Sequence, residues 1–229
     1  MNRYVLTYYK KNYMRFLSHL DMQRLFRRAL YKAEVNMAFT QGYNPHSIIN
    51  LVQPLSLGFE AEKDYFEFET NEPVDTDTIC DVLNLSLPSD IRFTACREFP
   101  LEKRNLSAKS QASDYSVRVI TEDKKMPDID SFLKQEKIMI WKRDKKTKQQ
   151  VEKDVKNLVF GISDLKSYDN GFGFVLCVSC ASNETLNPLQ LTESLLKFSG
   201  IDYLKEDIRI SRLDLLYFDE NNTKVSLFD

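Results

Sequence analysis

Apolar residues between Met22 and Ala33 fall at Met22, Leu25, Phe26, Ala29, Leu30 and Ala33, the i, i+3, i+4, i+7 spacing of one face of an amphipathic helix. Ser18 stands where an N-cap belongs, and Asp21 three residues on can answer it and suits the positive helix end. Elsewhere the period is two. Tyr4 to Lys10 is rich in aromatic and β-branched residues, Asp64 to Thr70 alternates apolar and polar, and Ile91, Phe93 and Ala95 alternate with Arg92, Thr94 and Cys96. The Asp64 strand therefore reads as half buried. A short strand is expected around Val35 to Phe39 and another from Ser47 to Val52, and Asp75 or Thr76 should cap a helix with Ile79, Val82 and Leu83 on one face, ended by Pro88.

Beyond a polar stretch from Phe99 to Ser113 the order recurs. Asp114 to Ile120 reads as a strand, Ile129 to Gln135 as a short helix, and Lys137 to Lys142, with the sole tryptophan Trp141, as a strand. Asp144 to Lys148 is a charged turn, and Val151 to Gly161 reads as a short strand plus one or two helical turns. Asn170-Gly171 turns a hairpin between Asp164 to Tyr168 and Gly171 to Cys180, Asn187-Pro188 starts a leucine-rich helix that Gly200 stops, and Ile208 to Phe218 closes the chain as a strand. The expected fold class is α+β: two tandem ferredoxin-like halves, each β-α-β-β-α-β with an antiparallel sheet, at residues 1–100 and 112–229.

Composition narrows the function classes. The 229 residues, 42% hydrophobic, suffice for one large or two small cores, and no apolar run reaches the roughly 18 residues of a membrane helix. No signal-peptide h-region opens the chain, so the expected compartment is the cytoplasm. Net charge is −2, yet the first sixty residues carry eight basic and three acidic groups, an excess of +5 that leaves −7 for the rest. An anionic partner is therefore expected at the first quarter of the chain. Cys177 and Cys180 form a C-x-x-C inside a strand pattern, where residues three apart point to opposite faces, so all four cysteines read as structural. There is no P-loop, no dinucleotide-binding glycine pattern, no H-E-x-x-H, no G-x-S-x-G and no cysteine triplet for a cluster, so no metal or cofactor is expected.

What remains is polar chemistry at the ends of the first helix. The only two histidines, His19 and His46, sit in Arg15-Phe16-Leu17-Ser18-His19-Leu20-Asp21 and in Gln41-Gly42-Tyr43-Asn44-Pro45-His46. Arg24, Arg27, Arg28 and Tyr31 share the outer helix face, which reads either as a solvated face or as a phosphate-contacting surface with a stacking plane. If the second loop folds back over the helix start, Arg15, Ser18, His19, Asp21, Arg24, Arg28, Gln41, Tyr43, Asn44 and His46 make a substrate-binding pocket; otherwise Ser18 and Asp21 cap, His19 packs and the loop is a tight turn.

These two clusters, with Arg24, Arg28-Ala29-Leu30 and Pro54-Leu55-Ser56-Leu57-Gly58, resemble the radical-SAM-linked protein family of unknown function, whose members are free-standing chains or C-terminal domains of cobalamin-binding radical SAM proteins. The resemblance is specific over residues 4–70 and departs at Ser47-Ile48-Ile49, where a proline and a basic residue are commoner. It implies a radical SAM partner that performs the chemistry, since this chain has no radical SAM cysteine motif. Three functions follow as expectations: a non-catalytic module that binds RNA or another phosphate-bearing substrate, a metal-independent endoribonuclease similar to CRISPR repeat-processing enzymes in which a histidine works with Arg24 or Tyr31, or a protein-protein scaffold.

Overall fold

A computed structural model describes residues 1–101, 106–122, 125–143, 149–182 and 184–228; the charged turn expected at Asp144 to Lys148 lies outside the described residues. The chain is mixed α+β with mostly antiparallel sheet. It divides into two compact units: Met1–Ser110 with Arg212–Leu215 and Val225–Asp229, and Gln111–Ser211 with Leu216–Lys224. Among the described residues no helix is long and apolar enough to cross a membrane.

The first unit runs β1 (Asn2–Lys10), α1 (His19–Lys32), β2 (Ile49–Leu51), β3 (Glu60–Thr70), α2 (Ile79–Asn84), β4 (Ile91–Glu98) and the single turn α3 (Leu106–Lys109). Its strands lie in the order β4-β1-β3-β2 with every neighbour antiparallel. The expected stripe of α1 packs on one sheet face, where Phe26 is the hub: its ring lies 5.0 Å from Tyr8, 5.0 Å from Phe66 and 4.6 Å from Phe93. Of the expected α2 face, Ile79 and Leu83 are buried while Val82 is exposed, and Asp75 starts the turn by accepting from the Asp77 N–H and the Thr78 hydroxyl.

Three local expectations are corrected. β3 is buried at every position from Asp64 to Thr70, not on alternate ones, because its second face is also covered: Leu106 donates its N–H to Glu67 Oε1 at 3.0 Å, and Arg3 pairs with Glu69 at 3.0 Å. The alternation of β4 breaks at a bulge. Thr7 pairs with Ala95 but Tyr8 with Phe93, so Thr94 is the extra residue, and the shift puts Cys96 on the core side instead of with Arg92. The strand expected at Val35 to Phe39 is two isolated bridges, Met37 to Thr70 and Phe39 to Ser47.

The second unit runs β5 (Ala112–Ile120), α4 (Ile129–Lys134), β6 (Met139–Arg143), β7 (Gln150–Asp154), β8 (Val159–Tyr168), β9 (Gly171–Ser179), α5 (Pro188–Phe198) and β10 (Ile208–Phe218), of which Arg212–Leu215 belong to the first unit, as do the last two residues of β11 (Lys224–Ser226). Here the order is β10-β5-β9-β8, while β6 and β7 form a separate antiparallel ribbon. In the stretch from Val151 to Gly161, β7 is followed by one three-residue 3-10 turn before β8 begins, in line with the expected short strand and helical turn. The β8–β9 turn depends on Gly171, at φ +134° with the Val119 carbonyl oxygen 2.0 Å from where a Cβ would stand. None of the four cysteines is in a disulfide; burial first and the Asp114 carboxylate second push the Cys177 thiol up to about 12.

Candidate anion-recognition site

Ser18 enters α1 in an extended conformation, and its hydroxyl accepts the Asp21 N–H at 3.2 Å while donating to the Asp21 carboxylate at 2.7 Å. The other oxygen of Asp21 holds Arg24 at 3.2 Å. Ser18 and Asp21 are thus occupied with the helix start, and the Arg24 side chain remains largely exposed. Arg15 sits in the 3-10 turn Asn12–Phe16, ion-paired to Glu60 at 3.6 Å with its guanidinium over the Phe16 ring, and its carbonyl accepts the Gly58 N–H at 3.0 Å. That bond ties the Pro54-Leu55-Ser56-Leu57-Gly58 loop to the approach to α1. His19 is half-buried there, and its ring makes no hydrogen bond among the described residues.

The second cluster is a separate exposed loop. Thr40 closes it, donating its N–H to the His46 carbonyl at 2.8 Å and accepting the His46 N–H on its hydroxyl at 3.0 Å, with Gly42 at φ +138°. Gln41, Tyr43, Asn44 and His46 are all exposed, Tyr43 completely. Among the described residues no hydrogen bond or ion pair joins this loop to Ser18, His19, Asp21 or Arg24. On the outer face of α1, Arg28 and Tyr31 are exposed, and the Nε of half-buried Arg27 has no partner. Exposed Tyr13, Phe16 and Leu20 precede them along the chain. Arginines interleaved with exposed aromatic rings can contact phosphates and stack on bases.

The strongest electrostatic feature escaped the sequence reading. Asp64 and Arg212 are 1% and 2% exposed, and Arg212 Nη1 meets Asp64 Oδ2 at 2.9 Å. The guanidinium also donates to the carbonyls of Gln53 at 3.0 Å and Pro54 at 3.4 Å, so it anchors the loop that leads to Gly58. Lys10, 3% exposed, lies in the same field: burial pulls its amine down to about 8, against the opposing pull of Asp64. Burial also raises the Asp64 carboxyl despite Arg212, and burial first and the Asp64 charge second hold the Tyr8 hydroxyl well above its ordinary range. A signal for this cluster does exist in the sequence. Lys10 shares the strand register of Tyr4, Leu6 and Tyr8, Asp64 that of Phe66 and Phe68, and Arg212 that of Ile208 and Ile210. A charge on an apolar register is a buried charge or a broken strand.

A second group on β3 is wholly internal in its bonding. Lys63 reaches Asp214 at 3.1 Å and Ser226 at 2.8 Å, and the Tyr65 hydroxyl donates to Asp214, tying the last residues to the sheet. A cleft of about 380 Å³ lined by Arg3, Asn50, Glu67, Glu69 and Ser107 has its carboxylates engaged: Glu67 by Asn50 at 2.8 Å and by the Leu106 N–H, Glu69 by Arg3.

A family model described as an uncharacterized protein conserved in bacteria (DUF2344) matches residues 3–188. The chain belongs to this family. The DUF2344 match takes in both polar clusters, Lys10 and Asp64, and stops short of Arg212. No curated protein matches the chain.

Proposed function

We propose that this DUF2344 chain is a non-catalytic accessory protein of the cytoplasm that binds RNA, or another phosphate-bearing substrate, through its first unit and serves a radical SAM enzyme. The observation that carries the binding half is the outer face of α1, where Arg24, Arg28 and Tyr31 stand exposed beside the partnerless Arg27 Nε, with Tyr43 projecting from the Gln41 to His46 loop. The excess of basic charge in the first sixty residues points the same way. The partner rests on the resemblance of Arg15 to Asp21, Gln41 to His46 and Pro54 to Gly58 to the radical-SAM-linked family. Recognition is favoured over cleavage because neither imidazole has a hydrogen-bonded orienting group among the described residues, which a general base uses to fix its tautomer.

The strand orders β4-β1-β3-β2 and β10-β5-β9-β8 support reading both units as ferredoxin-like folds, with the β6–β7 ribbon inserted in the second. The test is fluorescence anisotropy with a short single-stranded RNA in EDTA. Binding at low salt that weakens steeply with added salt, and weakens again in Arg24→Ala/Arg28→Ala, is the expected result. No binding at low salt overturns the reading, and cleavage lost in His19→Ala and His46→Ala replaces it with a nuclease. Co-purification with a radical SAM protein tests the partner.

A further inference from the structure

Glu67 and Glu69 stand two residues apart on β3, so both side chains leave the sheet on the face opposite α1. There they line the cleft of about 380 Å³, together with Arg3, Ile48, Asn50 and Ser107. The two glutamates are 5% and 9% exposed. Three of their four carboxylate oxygens are taken. Glu67 accepts the Leu106 N–H on Oε1 at 3.0 Å and the Asn50 amide on Oε2 at 2.8 Å, and Glu69 Oε1 accepts Arg3 Nε at 3.0 Å. Glu69 Oε2 accepts no hydrogen bond among the described residues, and it is not sealed from solvent. Asn50 leaves a second acceptor open. An ionised carboxylate only accepts, so Asn50 turns its Nδ2 to Glu67, and that nitrogen also donates to Ser107 Oγ at 2.9 Å. Its Oδ1 accepts nothing among the described residues and is likewise open.

Charge and geometry name the class of ligand. Among the described residues Glu67 enters no ion pair and Arg3 is the only cation lining the cleft, so Arg3 set against Glu67 and Glu69 leaves one negative charge. A buried carboxylate held by neutral donors alone lacks the counter-charge that would offset its desolvation. Asn50 faces Glu67 across the β2–β3 pair, which makes Glu69 its diagonal neighbour, roughly 7–8 Å away and within reach of a long side chain. A cleft that carries negative charge and two open acceptors, with Ile48 in its wall, suits a donor-rich cation. We propose that it binds a small organic cation, an ammonium group on an apolar stem, with the ammonium donating to Glu69 Oε2 and Asn50 Oδ1 and the stem against Ile48. The site uses none of the residues of the recognition reading and lies on the other face of the sheet from α1.

The experiment is an NMR titration of the full chain with n-butylammonium chloride against sodium chloride at matched ionic strength. Saturable shifts at Ile48, Asn50 and Glu69, with a nuclear Overhauser contact between the ligand and an Ile48 methyl, are expected in the wild type and in Arg24→Ala/Arg28→Ala alike. Tetramethylammonium, which has the charge and no N–H, is expected to bind about tenfold more weakly or worse. Glu69→Gln keeps an acceptor for Arg3, removes the charge, and is expected to weaken butylammonium by about tenfold or more. Should Glu69→Gln fail to fold, the Ile48 contact and the tetramethylammonium comparison decide in the wild type. Nα-acetyl-lysine N-methylamide separates the sources: binding tighter than butylammonium supports a lysine of a protein partner, and weaker binding supports a free amine. No saturable response to butylammonium, an equal response to tetramethylammonium, or an unchanged affinity in Glu69→Gln overturns the proposal. So does binding that appears only in Lys103→Ala/Arg104→Ala, which would assign the acceptors to this chain's own basic residues ahead of Leu106 in the sequence.

Discussion

Arg212 and Asp64 illustrate how a buried ion pair differs from its parts. Desolvating two charges offsets most of their attraction, so the intact pair adds little net stability, whereas removing one partner strands the other. Arg212→Met should therefore destabilise by about 3–5 kcal/mol in urea titration, and Arg212→Met with Asp64→Leu should recover much of that loss. Lys10 gives a second prediction, on pH. Its folded amine titrates at about 8 and its ordinary value is 10.5. Between those limits the unfolded chain holds a proton that the folded chain has released, so stability rises with pH there; the penalty is fully present below about pH 8. The difference in unfolding free energy between wild type and Lys10→Met should shrink by about 1.4 kcal/mol per pH unit across that window, with the variant the more stable at neutral pH. A difference that stays flat from pH 7 to 10 contradicts it. Lys10, Asp64 and Arg212 were visible as charges on apolar registers, but their convergence was not, since 148 residues separate Asp64 from Arg212.

Elements whose causes are local were readable from the chain. Helix α1 has its stripe, its Ser18 cap and its acidic first turn all between Ser18 and Ala33, and the structure keeps all three. Ser18→Ala should cost about 1 kcal/mol, since the Asp21 N–H loses its acceptor. The Asn170-Gly171 turn is as local, and Gly171→Ala should destabilise more than the cap does because its Cβ would meet backbone that cannot step aside. Urea midpoints of the two variants rank these effects. β3 was misread for the opposite reason. Glu-Ala-Glu-Lys-Asp-Tyr-Phe-Glu-Phe-Glu-Thr alternates like a half-solvated strand, yet Glu67 and Glu69 are buried by Leu106 and Arg3, partners 39 and 66 residues away. The β4 bulge at Thr94 likewise follows from pairing with β1, which no window on β4 contains.

At the scale of the whole chain, the first unit is discontinuous: it borrows Arg212–Leu215 and Val225–Asp229 from the far end. A chain ending at residue 110 lacks the guanidinium on Asp64, the Asp214 carboxylate on Lys63 and Tyr65, and the Ser226 hydroxyl that also meets them. It keeps Asp64 and Lys10 on the core side of the sheet, so two buried charges remain without the arginine that organises them. Residues 1–110 alone are therefore expected to melt without a cooperative transition or at a much lower temperature than the full chain. Joining residue 110 through a Gly/Ser linker to residues 207–228 returns Arg212, Asp214 and Ser226 and should restore cooperative unfolding, because closing a flexible loop costs little beside the charge it satisfies. Far-UV circular dichroism melts of the two fragments separate the cases. If residues 1–110 unfold as sharply as the linked fragment, the far-end residues decorate the first unit instead of completing it, and the buried arginine is not what holds Asp64 in place.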